Sequence, residues 1–165
     1  MNINSVALAA AFLFASSAGF AHDMGAMTNT RHGAAAVYAF GEPGKSAKVD
    51  RTIAITMHDL SFDPSSVAVK RGETIRFVVV NASPIDHDFT IGDAKTEAEH
   101  RAEMAEMMAM GMTHGDEANA IMLKPEQRKE LIWTFSKSGK LEFDCNIPGH
   151  AESGMRGTID VAGGR

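Results

Sequence analysis

Short runs in which apolar and polar residues alternate occupy the chain from about residue 51 onward. Alternation with a period of two predicts β-strands at 52–57, 66–70, 73–81, 87–91, 132–136, 140–145 and 156–161. Turn-forming pairs separate several of them, among them Asp63-Pro64, Arg71-Gly72 and Ser138-Gly139. Short strands at this spacing predict an all-β domain, either an antiparallel sandwich or a barrel.

One segment departs from the β pattern. Residues 94–112 contain few β-branched side chains and many Ala, Glu and Met. This composition predicts a helical insertion over about 94–115, with the helix ending near Gly111.

The first 21 residues predict a secretory signal peptide. They carry no charged side chain, residues 6–15 are apolar, and small residues precede Ala21. The alternative is an uncleaved anchor, but the apolar stretch is only about half of the ~20 residues that a membrane span needs. We therefore expect a periplasmic chain that starts at His22 and has no membrane span after cleavage.

The next segment, residues 22–50, is rich in Gly and Ala and has no sustained periodicity. It predicts a mobile tail and linker ahead of one domain over 51–165. The tail contains His22, Met24, Met27 and His32, which form a candidate copper site of their own. A monomer is the default expectation.

Composition excludes some functions and favours a metal. A net charge of -5 offers no basic stripe for nucleic acid. The single Cys excludes disulfides within the chain and Cys-rich zinc or iron–sulfur sites. The 11 Met and seven His supply soft sulfur and imidazole, a balance that favours copper.

The most informative motif is Cys145-x4-His150-x4-Met155, which lies between two predicted strands. His87, after a turn-like segment of the same domain, fits as a second imidazole. A thiolate, two imidazoles and a weak thioether form the trigonal set that suits copper in electron-transfer sites. Taken singly, each residue has another interpretation: a buried Cys, a core Met or a surface His. Zinc, or a Cys–His nucleophile pair, would leave Met155 unexplained.

With these residues, the segment from about Arg51 to Val161 resembles the cupredoxins, or blue-copper proteins. Its ligand loop is similar to that of rusticyanin and auracyanin, and its Met-rich stretches resemble periplasmic cupredoxins of bacterial copper tolerance. The resemblance implies a Greek-key β-sandwich, the four copper ligands named above, and electron exit at the His150 edge. The family often has Asn after the first His, where this chain has Asp88. Asp86 and Asp88 are candidates for orienting the free ring nitrogen of His87, or are simply solvated.

A second set of copper-binding candidates lies on and after the predicted helix. Imidazoles and thioethers recur at helical spacing there, which favours a soft Cu(I) or Ag(I) site. The alternative is that these methionines are core filler. The candidates are His100, Met104, Met107, Met108, Met110, Met112 and His114.

Two functions remain open from the sequence. The first is copper tolerance through redox-active copper binding, which the surplus of Met and His favours. The second is a one-electron carrier for a redox partner protein, with Pro84, Ile85, Ile147, Pro148 and Ala151 as a candidate docking patch. We expect no enzymatic activity, because Asp144 and Asn146 stand where multicopper oxidases have His on both sides of the Cys. The length also leaves no room for a second copper domain.

Overall fold

The computed structural model describes residues 38–164, which form two five-stranded sheets and one α-helix. The strands of the first sheet stand in the order β1-β8-β5-β2-β3, and those of the second in the order β4-β10-β9-β6-β7. The strands are β1 (Gly41–Pro43), β2 (Arg51–His58), β3 (Ser61–Asp63), β4 (Ser66–Lys70), β5 (Thr74–Asn81), β6 (His87–Gly92), β7 (Ala120–Leu123), β8 (Arg128–Phe135), β9 (Gly139–Asp144) and β10 (Arg156–Ala162). Helix α1 spans Ala94–Ala109, and a 3-10 turn spans Ser46–Lys48.

Sheet pairing is mostly antiparallel, with parallel pairs between β2 and β5 and between β4 and β10. The strict alternation of buried and exposed positions along β4 and β10 places one face of that sheet on the core. Aromatic rings fill the space between the sheets, including Phe62, Phe77, Phe89 and Phe143. The predicted all-β Greek-key sandwich with a helical insertion is therefore confirmed.

Helix α1 begins with a capped first turn and ends earlier than the predicted insertion. Asp93 accepts a hydrogen bond from the backbone N–H of Thr96 at 2.9 Å, which satisfies one free donor of the first turn. The helix packs against β6 and β9 and buries Glu97, His100 and Met104. Because α1 covers β6, all six residues of that strand are buried.

The domain starts before residue 51, contrary to the predicted linker. Phe40 is only 3% exposed, and its ring lies 5.5 Å from that of Trp133. Strand β1 pairs with β8, and a Cβ at Gly41 would overlap the indole of Trp133 and the carbonyl of Thr134. A three-residue edge strand that contains Gly and Pro has too little periodicity to be recognised in a sequence.

The predicted signal peptide (1–21) and the tail residues His22, Met24, Met27 and His32 lie outside the described residues. Within residues 38–164, no helix combines the length and the apolar character that a membrane crossing requires.

Candidate metal centre

The fold brings three of the predicted ligands to one end of the second sheet. His87 is the first residue of β6, and Cys145 follows directly after β9. These strands are paired, with Thr90 opposite Asp144, so the two side chains come from neighbouring strands. His150 lies in the loop between β9 and β10.

The loop that carries His150 is fixed by its own backbone. Gly149 and Gly154 adopt positive φ angles of 89° and 101°, which glycine tolerates without strain. The Cys145 N–H donates to the Met155 carbonyl at 3.1 Å, and the Met155 N–H donates to the His150 carbonyl at 3.0 Å. The loop therefore folds back on itself and brings Met155, which is fully buried, beside the other ligands.

The three ligand atoms form a nearly regular triangle. Nδ1 of His87 lies 3.2 Å from Nδ1 of His150, and Sγ of Cys145 lies 3.7 Å and 3.3 Å from these two nitrogens. The point equidistant from all three atoms is about 2.0 Å from each, which is the length of a metal–nitrogen bond in a protein. The donor set therefore fits one transition-metal ion.

The protonation states of these ligands follow from their burial. Burial raises the pKa of Cys145 to about 12, so the metal-free protein holds a neutral thiol at neutral pH. Burial, together with the nearby His150, lowers the pKa of His87 to about 4. Burial also lowers the pKa of His150 below its usual value. Both imidazoles are therefore neutral near pH 7 and ready to bind a metal.

Asp88 connects the two ligand-bearing segments. Its backbone N–H donates to Cys145 Sγ at 3.3 Å, and its Oδ2 accepts from Thr90 Oγ1 at 2.7 Å and from the Asn146 N–H at 3.2 Å. Neither Asp86 nor Asp88 hydrogen-bonds the Nε2 of His87, which is buried without a partner among the described residues. The expectation that these carboxylates orient His87 is therefore not met: Asp88 is fully buried and holds the Cys145 loop, while Asp86 is exposed.

Sequence reasoning missed a buried polar network beneath α1. Asn146 Nδ2 donates to Glu97 Oε2 at 2.8 Å, and Arg101 donates to Asp144 Oδ2 at 2.7 Å. Burial is the main reason that the pKa of Glu97 rises to about 9, while the hydrogen bond from Asn146 opposes it. Burial also raises the pKa of Asp144 to about 6, although the charges of Arg156 and Arg101 lower it. A helix pattern gives no sign of such a network, because Glu is usually an exposed residue.

The structure brings together only some of the second set of predicted ligands. The rings of His100 and His114 lie 4.7 Å apart, and both residues are buried. Met104 is 1% exposed and belongs to the hydrophobic core, Met107 is half-buried, and the remaining three are exposed at 45–65%. These exposed three are Met108, Met110 and Met112.

Two glutamates that the sequence did not single out complete the histidine pair. Donor atoms of His100, Glu103, His114 and Glu117 all lie within 4.8 Å of one another. Burial lowers the pKa of His100, but its contact with Asp88 and the charges of Glu117 and Glu103 outweigh that effect, so the pKa is raised above its usual value.

Comparisons with known proteins agree with this geometry. A family model described as copper binding proteins of the plastocyanin/azurin family matches residues 48–162. The copper-resistant cuproprotein CopI of Pseudomonas aeruginosa is 38% identical over 149 residues, covering 74% of this chain and 82% of that protein. CopI of Rubrivivax gelatinosus is 40% identical over 156 residues, covering 93% of this chain and 92% of that protein. The solved structure of auracyanin B superposes with a TM-score of 0.62 at 19% identity, covering 74% of this chain and 96% of that one, which shows a shared fold.

Proposed function

Because the chain belongs to the plastocyanin/azurin family of copper-binding proteins, we propose that it is a periplasmic type 1 copper protein that serves copper tolerance. The observation that carries this proposal is the convergence of His87 Nδ1, His150 Nδ1 and Cys145 Sγ on one point. The buried Met155, at the end of the same loop, would hold the ion as a fourth donor. Thiolate and thioether are soft ligands, and imidazole suits copper in either oxidation state.

The chain holds these ligands in place before any metal arrives. Backbone hydrogen bonds fix the loop from Cys145 to Met155, and the Asp88 N–H fixes the sulfur. A bound copper ion supplies one-electron redox chemistry between Cu(II) and Cu(I). A rigid ligand set that fits both oxidation states keeps the rearrangement on electron transfer small.

Access to the centre runs past His150. Its side chain is the only one of the three converging ligands that is not buried, so it connects the site to solvent. Copper capture and electron exit are both expected at this edge of the domain.

A dedicated electron carrier is the second candidate, and the surface near His150 is the observation that favours it. Ile85 is 44% exposed there, and Pro84 and Pro148 are also exposed. The other two residues of the expected docking patch, Ile147 and Ala151, are buried. The patch is therefore smaller than the sequence suggested, because the ligand loop turns these two side chains inward.

Tolerance is favoured over electron carriage by the relatives. Proteins named copper-resistant cuproproteins match this chain at 36–40% identity over 73–93% of its length. The predicted signal peptide supports a periplasmic location, where such a protein meets incoming copper. We also propose that the protein is a monomer and has no catalytic activity of its own.

Growth of the source bacterium in graded copper tests the proposal. A strain without the gene should lose copper tolerance, and the wild-type gene should restore it. Cys145→Ser should fail to restore it, while Gly163→Ala, whose new Cβ meets nothing within 4 Å, should succeed as the control. A deletion strain that keeps full copper tolerance but loses respiratory or photosynthetic electron flow would favour the carrier function instead.

A further inference from the structure

A second cluster of metal-binding side chains lies between α1 and the segment that leads into β7. It consists of His100 and Glu103 on the helix, and His114 and Glu117 after it. Both histidines are buried, with side chains only 5% and 4% exposed, while Glu117 is 40% exposed. Two buried imidazoles and two carboxylates in one small volume offer four ligand atoms to a cation.

The hydrogen bonds of His114 show which ring nitrogen is free. Its Nδ1 lies 2.8 Å from the Gly115 carbonyl oxygen. A carbonyl oxygen can only accept, so Nδ1 carries the proton and Nε2 of the neutral ring presents its lone pair. That lone pair faces Oε1 of Glu117 at 3.1 Å. Two electron-pair acceptors at this distance require a proton or a metal ion between them.

His100 has the complementary arrangement. Its Nε2 faces Oδ2 of the buried Asp88 at 3.5 Å, and its Nδ1 faces Oε2 of Glu117 at 4.0 Å. In metal-binding proteins the ring nitrogen that is not bound to the metal usually points to a carboxylate or a carbonyl. Asp88 and the Gly115 carbonyl fill these two positions, so one nitrogen of each ring is left to converge on Glu117.

We propose that His100 Nδ1, His114 Nε2, Glu117 and Glu103 form a second metal site, which holds Cu(II). Bond lengths of about 2.0–2.2 Å place the ligand atoms of one ion about 3.4 Å apart, and the four donors lie within 4.8 Å of one another. A small inward movement of the exposed glutamates would close the site. His114 also borders a surface cleft, which gives an ion a path from solvent.

The donor set selects the kind of ion. Two imidazole nitrogens and two carboxylate oxygens suit a borderline divalent metal, and Cu(II) binds such sites more tightly than other divalent ions of the first transition row. The sequence alone had favoured soft Cu(I) for this region because of its thioethers. That copper is the ion that reaches this site rests also on the proposed function, whereas the existence of the site rests on its geometry alone.

The two sites are neighbours through Asp88. Its side chain faces His100, and its backbone N–H donates to the sulfur of Cys145. The second site would therefore hold Cu(II) beside the redox-active centre. This arrangement fits a protein that takes up more than one copper ion per chain.

Copper counting on the purified mature chain tests the site. Metal-free protein is titrated with Cu(II) against a competing chelator, and the equivalents bound per chain are counted for the wild type, His114→Ala and Glu117→Gln. Both variants should bind one equivalent fewer than the wild type or bind it far more weakly. Glu106→Gln, an exposed position on the same helix, is the matched control and should keep the wild-type count.

The absorption spectrum separates this site from the type 1 centre. Only Cys145 can give a thiolate-to-copper charge-transfer band, because it is the single Cys. His114→Ala should keep that band while losing its equivalent, which also shows that the variant is folded. An unchanged copper count in His114→Ala would overturn the second site and leave the proposed function intact. A wild type without the band, but with an equivalent that depends on His114, would overturn the proposed function instead.

Crystals soaked in Cu(II) provide a test that needs no variant. Anomalous difference density between the rings of His100 and His114 is expected, and its absence would overturn the site. Titration with an equimolar mixture of Cu(II) and Zn(II) tests the metal. If Zn(II) rather than Cu(II) is the metal whose binding depends on His114, the copper assignment would be overturned.

Discussion

Binding of Cu(II) at the His–Cys–His centre should release one proton per chain at neutral pH. The buried thiol of Cys145 has a pKa of about 12 and is protonated, so the metal must displace its proton. Burial lowers the pKa of His87 to about 4 and also lowers that of His150, so neither imidazole has a proton to lose.

The size of the effect follows from this count. Displacing one proton makes the apparent copper affinity rise about tenfold per pH unit, or about 1.4 kcal/mol, from about pH 7 to about pH 9. Further protons enter the balance in acid, because His150 becomes charged and His87 also becomes charged below about pH 4. A plot of the logarithm of the apparent copper affinity against pH should therefore be steeper in acid than at neutral pH.

Calorimetry in buffers of different ionisation enthalpy measures the proton count directly. The measured binding enthalpy, plotted against the buffer's ionisation enthalpy, has the number of released protons as its slope magnitude. Using His114→Ala as the background excludes protons from the second site. Cys145→Ser, whose hydroxyl keeps its proton, should reduce the count to zero.

Two results would refute this reasoning. A count of zero in the Cys145-containing protein would mean that the metal-free centre already holds a thiolate. A count of two would mean that an imidazole is charged at pH 7, contrary to the burial of His87 and His150.

Three further predictions concern the fold of the metal-free protein. Phe40→Ala should lower the free energy of unfolding in urea by about 3–5 kcal/mol, because the ring is only 3% exposed and packs against Trp133. A loss below about 1 kcal/mol would mean that this segment is a linker and not part of the domain. Glu97 has a pKa of about 9 in the folded protein, so it binds a proton there that the unfolded chain releases above about pH 4.5. Wild-type stability should therefore fall relative to Glu97→Gln as pH rises from about 5 to about 9, and parallel pH profiles would contradict the burial of this carboxyl. Gly157→Ala would drive a Cβ into the ring of Phe143 and should cost about 1–3 kcal/mol, whereas Gly163→Ala should leave the urea midpoint unchanged.

Most of the strands and the candidate metal centre could be predicted because their signals are local. Strands β4 and β10 alternate buried and exposed residues strictly, so their sequence carries the pattern of the fold. Cys145, His150 and Met155 lie within one loop, so their even spacing is visible in the sequence. Predicting His87 as a ligand required only the assumption that it lies at the same end of the sheet as Cys145.

Strands β1 and β7 and the full second cluster could not be predicted because their partners are remote in sequence. Strand β1 is defined by pairing with β8, and β7 by pairing with β6, rather than by a pattern of its own. Which face of α1 turns inward decides that Glu97 and Met104 are buried. The helical spacing found His100, but Glu117, which faces it, comes from the packing of the segment after the helix.

The central claim is that His87, Cys145, His150 and Met155 hold one redox-active copper ion, and an optical titration tests it most directly. Adding Cu(II) to the metal-free protein should produce a thiolate-to-copper charge-transfer band that saturates at one equivalent and bleaches when a reductant is added. Cys145→Ser should show no band at any copper level. A wild type that binds Cu(II) without this band, or a band that survives in Cys145→Ser, would contradict the account.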